Sequence, residues 1–197
     1  MPAAVDCDLA AKVASRVAGR EPFAQSYHFD SLAPDFEEFT AQAEELVAIE
    51  TGLRSYAGPA RGRVTDRQGW IDANVASFQR LLRPLLETFG DRIGTGPLAP
   101  VASRAAALEV GAMLGWMSTR VLGQYDMLII EDEDPGEQDI VYYVGPNVLA
   151  TEKLYAFPPR EFRLWLALHF YCLSDTLICL SIKRLDTEPL CKGIMTV

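Results

Sequence analysis

The chain has 197 residues, 49% hydrophobic and 23% charged, a composition typical of globular rather than disordered or fibrous proteins. Its formal net charge of −9 excludes the basic surface that a nucleic-acid-binding protein needs, and disfavours binding to an anionic membrane. The N-terminus shows no signal-peptide pattern, so we expect a cytoplasmic protein whose four cysteines are thiols or ligands rather than disulfides.

Two helical patterns open the chain. Residues 5–18 are rich in alanine, and Gly19 is a suitable end for a helix there. Residues 31–51 repeat apolar side chains at spacings of three and four, which predicts an amphipathic helix ending at Gly52. The stripe expected to face the core of this second helix consists of Phe36, Phe39, Ala43, Leu46 and Val47.

The pattern of residues 66–89 predicts the strongest helix in the chain, after a loop at 55–64. Thr65 can cap its first turn, because Gln68 follows at the spacing of a capping box. Pro84 should kink or break the helix, and Gly90 should end it. A third long helix is predicted at 103–122, apolar nearly all round and rich in small residues. We expect four large side chains of these two helices to be buried, namely Trp70, Phe78, Leu82 and Trp116.

The period then changes to that of a β-sheet. Residues 126–130 and 140–144 are short runs of β-branched and aromatic residues, which predict two strands. Because the acidic turn between them is too short for a crossover, the strands should pair antiparallel. This turn, EDEDPGEQD (131–139), holds six carboxylates, but it lacks the ligand order and closing glutamate of a calcium loop. A solvated turn is the better interpretation.

The last predicted helices flank two prolines. Asn147 can cap a short helix that runs to Tyr155, and Pro159 suits the first turn of a helix over 159–169. Along this last helix four side chains recur at spacings of three and four and should point the same way, toward the core: Phe162, Trp165, Leu166 and His169.

Four stretches in this order carry a family resemblance: WIDANVASFQRLL (70–82), LGWMSTRVLGQYD (114–126), YYVGPN (142–147) and PREFRLWLALH (159–169). They resemble an actinobacterial family of zincin-like, zinc-dependent metallopeptidases or hydrolases, some of whose members are labelled as associated with biosynthesis of a deazaflavin coenzyme. The resemblance implies a mainly α fold with a small antiparallel β element (α+β), of which this chain would be the N-terminal part only. It also implies zinc as cofactor and a peptide substrate.

In that family the helix of residues 159–169 runs into the motif H-E-x-x-H. Two histidines one turn apart bind Zn²⁺, and the glutamate handles the proton of the metal-bound water. In this chain the first histidine matches as His169, the candidate metal ligand. Phe170 stands where the catalytic glutamate should be, and Leu173 where the second histidine should be. The resemblance therefore assigns no catalytic residue to this chain, and the one other histidine is His28, far upstream.

The composition changes at the same point. Residues 1–169 contain 24 alanines and residues 170–197 contain none, while three of the four cysteines fall in the tail. We therefore expect 1–169 to be the N-terminal part of a zincin-like domain, and 170–197 to be an aberrant or replaced tail. Ordinary divergence is the alternative, although it seldom begins so abruptly inside a motif.

Three other interpretations of this stretch remain. His169, Cys172 and Cys179 could form a different zinc site, although the two cysteines lie about two turns apart on a helix. Residues 164–182 are long and apolar enough for a membrane span, but Asp175 near the middle would cost about 2.5–3.5 kcal/mol. The commonest role of a lone histidine on an apolar helix is structural.

The sequence therefore predicts a metallopeptidase lineage, with a chain that is truncated, catalytically inactive and free of bound zinc. The competing class is a non-catalytic helical binding or scaffold protein. No nucleic-acid partner is expected, a membrane is disfavoured, and the oligomeric state stays open. Since the intact fold would cover the helices at 97–122 and 159–169, we also expect exposed apolar surface on both.

Overall fold

The structure is a computed structural model that describes residues 5–23, 26–52, 61–93, 99–126 and 140–182; side chains are described except at 27, 83–93, 126 and 172–182. The helices are α1 (Cys7–Ala18), α2 (Tyr27–Asp30), α3 (Leu32–Thr51), α4 (Arg67–Ile93), α5 (Ala99–Ser118), α6 (Gly145–Tyr155) and α7 (Pro159–Ile182). The strands are β1 (Arg61–Thr65), β2 (Gly123–Asp126) and β3 (Ile140–Val144). The predicted mainly α fold with a small β element is confirmed.

The chain divides into two compact units. The first contains Met1–Asp30, Val64–Leu122 and Val144–Leu154. The second contains Ser31–Arg63, Gly123–Tyr143 and Tyr155–Val197.

Close packing of α1 on α5 organises the first unit. A β-carbon at Gly111 would lie 2.5 Å from the carbonyl oxygen of Ala10, and Gly115 meets Ala14 in the same way one turn later. Only glycine permits this approach, because any side chain would overlap the α1 backbone. Helix α1 itself starts at the capping carboxylate of Asp6 and ends at Gly19 with a φ of 65°, as predicted.

The core of the first unit gathers around the start of α4. Trp70 is buried as predicted, together with Ile71 of the same helix and with Ala14, Leu114 and Val144 from three other elements. Phe78 and Leu82 were predicted as buried and are only half-buried; Phe78 packs at the margin of this core. Trp116 was wrongly predicted as buried and is 55% exposed. The glycine side of α5 is the side that packs, so Trp116 lies on the outer side, where the Arg120 guanidinium covers its ring at 4.2 Å.

The start and end of α4 correct two predictions. Asp66, and not Thr65, caps the helix, because its carboxylate accepts the Gly69 N–H at 2.6 Å. Gln68 does not close a capping box and binds Asp72 instead. The helix continues past Pro84 without a break, and beyond Gly90 to Ile93.

Asn147 corrects another capping prediction. Helix α6 already begins at Gly145, so Asn147 lies in its first turn, and the buried side chain serves a long-range role. Its amide donates to the carbonyl oxygens of Ser118 at 2.8 Å and Val121 at 2.7 Å. Its own oxygen accepts from Arg67 Nε at 2.9 Å. One side chain thereby satisfies the last carbonyl of α5 and a carbonyl of the turn that follows it.

In the second unit, α3 packs against α7. The predicted stripe is buried at Phe36, Phe39, Ala43 and Val47, with Leu32 and Thr40 beside it. Leu46 was wrongly included and is 39% exposed, because the buried side runs along residues 32, 36, 39, 40, 43 and 47 and leaves 46 at its margin. Gly52 ends the helix with a φ of 72°, as predicted.

The sheet has the strand order β1–β3–β2. The predicted antiparallel pairing is confirmed, with Gly123 opposite Tyr143 and Asp126 opposite Ile140. β3 has the predicted bounds, whereas β2 begins three residues earlier than predicted. The rest of the predicted strand, residues 127–130, and the acidic turn at 131–139 lie outside the described residues. β1 was predicted as loop. Within the described ranges, no helix combines the length and apolarity needed to cross a membrane.

Candidate functional site on helix α7

Helix α7 carries the residues that the sequence singles out. It begins at Pro159, and the Phe162 N–H donates to the Pro158 carbonyl at 3.1 Å. Glu161 lies in the first turn, where the helix dipole favours a carboxylate. The helix continues through positions 170 and 173 to Ile182. The positions of an H-E-x-x-H motif are therefore helical here, although two of its residue types are absent.

The packed face of α7 combines apolar side chains with one ion pair. Its buried residues are Phe162, Arg163, Leu166, Ala167 and Tyr171. The Arg163 guanidinium, with a side chain 7% exposed, pairs with the carboxylate of Asp35 on α3. A buried arginine is tolerated only with such a partner, so this pair fixes how α7 lies on α3.

His169 does not lie on this packed face. The prediction that Trp165 and His169 point toward the core was wrong: Trp165 is 54% exposed and His169 is exposed as well. Residues 162, 163, 166, 167 and 171 define the buried stripe, which places 165 and 169, four residues apart, together on its outer edge. The His169 ring stacks on Trp165, with centroids 5.2 Å apart and planes 14° apart.

Phe170 stands at the position where the resemblance predicts the catalytic glutamate. It is half-buried, and its ring meets Tyr143 edge to face, with centroids 6.1 Å apart and planes at 73°. A β-carbon at Gly123 would lie 2.7 Å from Phe170 Cε2, so the ring fills the space that this glycine leaves on β2. Phe170 is thus part of the packing between α7 and the sheet.

Tyr143 extends this packing into the interior. It is fully buried and stacks on Phe36 with centroids 3.9 Å apart. Its hydroxyl shares a 2.9 Å hydrogen bond with the buried Thr40 hydroxyl. Burial raises the pKa of Tyr143 well above its ordinary value, and the Thr40 hydrogen bond opposes this only weakly. The phenol therefore acts as a neutral structural group.

The described residues do not fit a zinc centre. Zinc sites need three or four protein donors, and among these residues no three His, Cys, Asp or Glu side chains lie together closely enough to hold a metal. The ring of the one candidate, His169, contacts the rings of Trp165 and Phe170. The side chains of Cys172, Leu173 and Cys179 lie outside the described residues. His28 is exposed on the short helix α2.

An exposed row of stacked rings is the feature that sequence reasoning missed. We call it the aromatic ladder, and it consists of Tyr155, Phe157, Phe162, Trp165 and His169. Successive centroids are 5.4, 5.0, 6.2 and 5.2 Å apart, and successive planes differ by 14–29°. Phe162 is its buried member, while Tyr155 is 63%, Phe157 41% and Trp165 54% exposed. The sequence signal that could have predicted this row is the run of aromatic residues on both sides of Pro158 and Pro159.

Comparisons with known proteins support the resemblance. The profile of the family described as zincin-like metallopeptidase matches residues 5–171. A solved crystal structure of "a putative hydrolase with a novel fold" from Chloroflexus aurantiacus is 27% identical, with a TM-score of 0.62. The match covers 84% of this chain and 50% of that one, so the chain spans half the length of this solved protein. The comparison with curated proteins gives no match.

Proposed function

Because the chain belongs to the zincin-like metallopeptidase family, we propose that it is a member of this hydrolase lineage that has no peptidase activity of its own. One observation carries the proposal. The position of the motif's glutamate holds Phe170, whose ring packs against Tyr143 and over Gly123. The family's substrate would be a peptide, but this chain does not supply the group that activates water.

The chemistry explains why this single position is decisive. Hydrolysis of a peptide bond by a zincin needs a metal-bound water and a carboxylate that accepts its proton. A phenylalanine cannot accept a proton, and a leucine at 173 cannot bind a metal. His169 alone supplies one donor of the three or four that hold zinc. The proposal therefore rests on residue chemistry.

Zinc content tests the proposal. Purified protein should carry well under one equivalent of zinc by elemental analysis, and a fluorogenic peptide library should show no turnover after zinc is added. The His169→Ala variant is the matched control, since its zinc content should equal that of the parent. Stoichiometric zinc that is lost in both His169→Ala and Cys172→Ala would overturn the proposal and favour the alternative His/Cys site.

We also propose that residues 170–197 replaced a family segment, for which the loss of alanine after position 169 is the support. Since α7 crosses this boundary as one helix, the replacement would have preserved helical structure. The nucleotide sequence downstream of codon 169 tests this. A second frame that encodes E-x-x-H would support replacement, and one uninterrupted frame of uniform base composition would contradict it.

A second candidate function is that of a non-catalytic helical binding protein. The observation that favours it is exposed apolar surface on two helices. On α5, Val101 is 64%, Leu108 50%, Met113 49% and Trp116 55% exposed, and α7 presents the aromatic ladder. Exposed apolar patches of this kind mark interaction sites in soluble proteins. A bound zinc equivalent would separate the two functions, since only the metallopeptidase would require it.

A further inference from the structure

The aromatic ladder offers an exposed apolar surface. Its rings lie nearly parallel, and their centroid separations of 5.0–6.2 Å are those of offset stacking. Tyr155, Phe157 and Trp165 are 41–63% exposed, so together they form an apolar ridge. An aliphatic surface packs well against such a ridge.

The charges beside the ladder favour a cationic partner. Three charged residues lie between positions 155 and 171, namely Arg160, Glu161 and Arg163. Both arginines are paired within the unit, Arg160 with Glu38 at 3.0 Å and Arg163 with Asp35. Glu161 is exposed, and since each arginine already pairs with a carboxylate of α3, these five side chains together carry one net negative charge. The chain as a whole carries −9, which attracts basic partners and steers their approach.

The same charge argues against a second copy as the occupant. Two chains of −9 repel each other, and pairing ladder against ladder would bring the two Glu161 carboxylates to the same interface. We propose that the aromatic ladder docks a basic amphipathic helix of another protein, with leucine-like side chains on the ridge and lysine or arginine beside Glu161. This inference rests on the second candidate function, binding without catalysis.

A synthetic peptide of about 18 leucine and lysine residues, patterned as an amphipathic helix, is the probe. The chain offers a matched pair of tryptophans, because Trp165 on the ladder and Trp116 on α5 are 54% and 55% exposed. In the Trp116→Phe protein, peptide binding should shift the emission of Trp165 to the blue. In the Trp165→Phe protein, the emission of Trp116 should stay unchanged.

Affinities measured by calorimetry complete the test. Trp165→Ala should weaken binding about tenfold or more, as expected for an aromatic residue at the centre of an interface, while Trp116→Ala should change it by less than about twofold. Glu161→Lys should weaken binding by about threefold and reduce its dependence on salt. Since Glu161 is exposed, this variant separates loss of docking from loss of folding, which circular dichroism checks for all variants.

Three results would overturn the docking proposal. The first is equal binding of a peptide with glutamate in place of every lysine. The second is an equal loss of affinity in Trp116→Ala and Trp165→Ala. The third is a dimer in sedimentation velocity that Trp165→Ala dissociates and the basic peptide does not. Mass spectrometry of the bound peptide addresses catalysis separately: a cleaved peptide would refute the proposed lack of peptidase activity while leaving docking confirmed.

Discussion

Replacing Phe170 by the glutamate that the family motif requires should destabilise this protein rather than restore catalysis. A fully buried phenylalanine contributes about 3–5 kcal/mol relative to alanine, and Phe170 is half-buried, so its loss should cost about 2 kcal/mol. The edge-to-face contact with Tyr143 accounts for about 0.5–1.5 kcal/mol of this. Partial desolvation of the new carboxylate adds to the cost. The melting temperature should therefore fall by about 5–10 °C in a chain of this size.

Thermal unfolding followed by circular dichroism measures this effect, with Phe170→Leu as the control. Leucine keeps the apolar contact with Gly123 and loses only the ring, so its cost should be about 1 kcal/mol. If Phe170→Glu melts at the temperature of the parent, Phe170 does not pack against the sheet and the structural account of this position is wrong.

The double variant Phe170→Glu/Leu173→His extends the same test to metal binding. Because α7 is helical through both positions, it places His169 and the new histidine one turn apart. We expect weak zinc affinity in calorimetry and no peptidase activity, since two histidines are fewer donors than a zinc site needs. If the double variant binds zinc no better than Phe170→Glu, the zincin interpretation of this helix is wrong.

Two further predictions concern polar side chains, a buried hydroxyl pair and one half-buried carboxylate. Tyr143→Phe should lower the free energy of unfolding by about 1–2 kcal/mol, because it leaves the buried Thr40 hydroxyl without this hydrogen bond. In urea unfolding, the double variant with Thr40→Val should cost less than the sum of the two single changes. Additive costs would refute the pairing. Desolvation raises the pKa of Glu21 above 4.5, although the Arg67 N–H donates to its carboxylate. Its contribution to stability is therefore present below pH 4.5 and is lost as pH rises through the folded pKa, so Glu21→Gln should flatten the fall in unfolding free energy that begins above about pH 4.5; an unchanged slope would contradict the raised pKa of Glu21.

Elements with a strong local signal were predictable from the sequence. Helix α3 has a regular apolar period and a glycine that ends it, and β3 is a compact run of β-branched and aromatic residues, so neither depends on distant neighbours for its identity. Strand β1 was missed for the opposite reason. Its sequence, RGRVT, has little β propensity, and it becomes a strand because β3 lies beside it.

Side-chain roles were harder to predict than elements. Asn147 has the chemistry of a helix cap, but carbonyl oxygens almost thirty positions earlier in the chain compete for its amide, and these win in the fold. Trp116 and Trp165 belong to helices that are apolar on more than one side. For such helices the spacing of apolar residues does not show which side of the helix packs against a neighbour. The predicted orientation of His169 was wrong for this reason.

The contacts of Phe170 connect the proposed loss of catalysis to the architecture of the second unit. The Thr40 and Tyr143 hydroxyls are paired, Tyr143 stacks on Phe36, and Phe170 completes the series by meeting the Tyr143 ring. A carboxylate at 170 would have to be solvated at the point where this series needs an apolar ring. An active site places its general base where water and substrate reach it, whereas here the half-buried side chain packs against the sheet. As far as residue 171, the exposed side of the same helix bears the stacked rings of Trp165 and His169. Under the proposed function, α7 therefore serves packing on one side and recognition on the other, and neither role requires a metal.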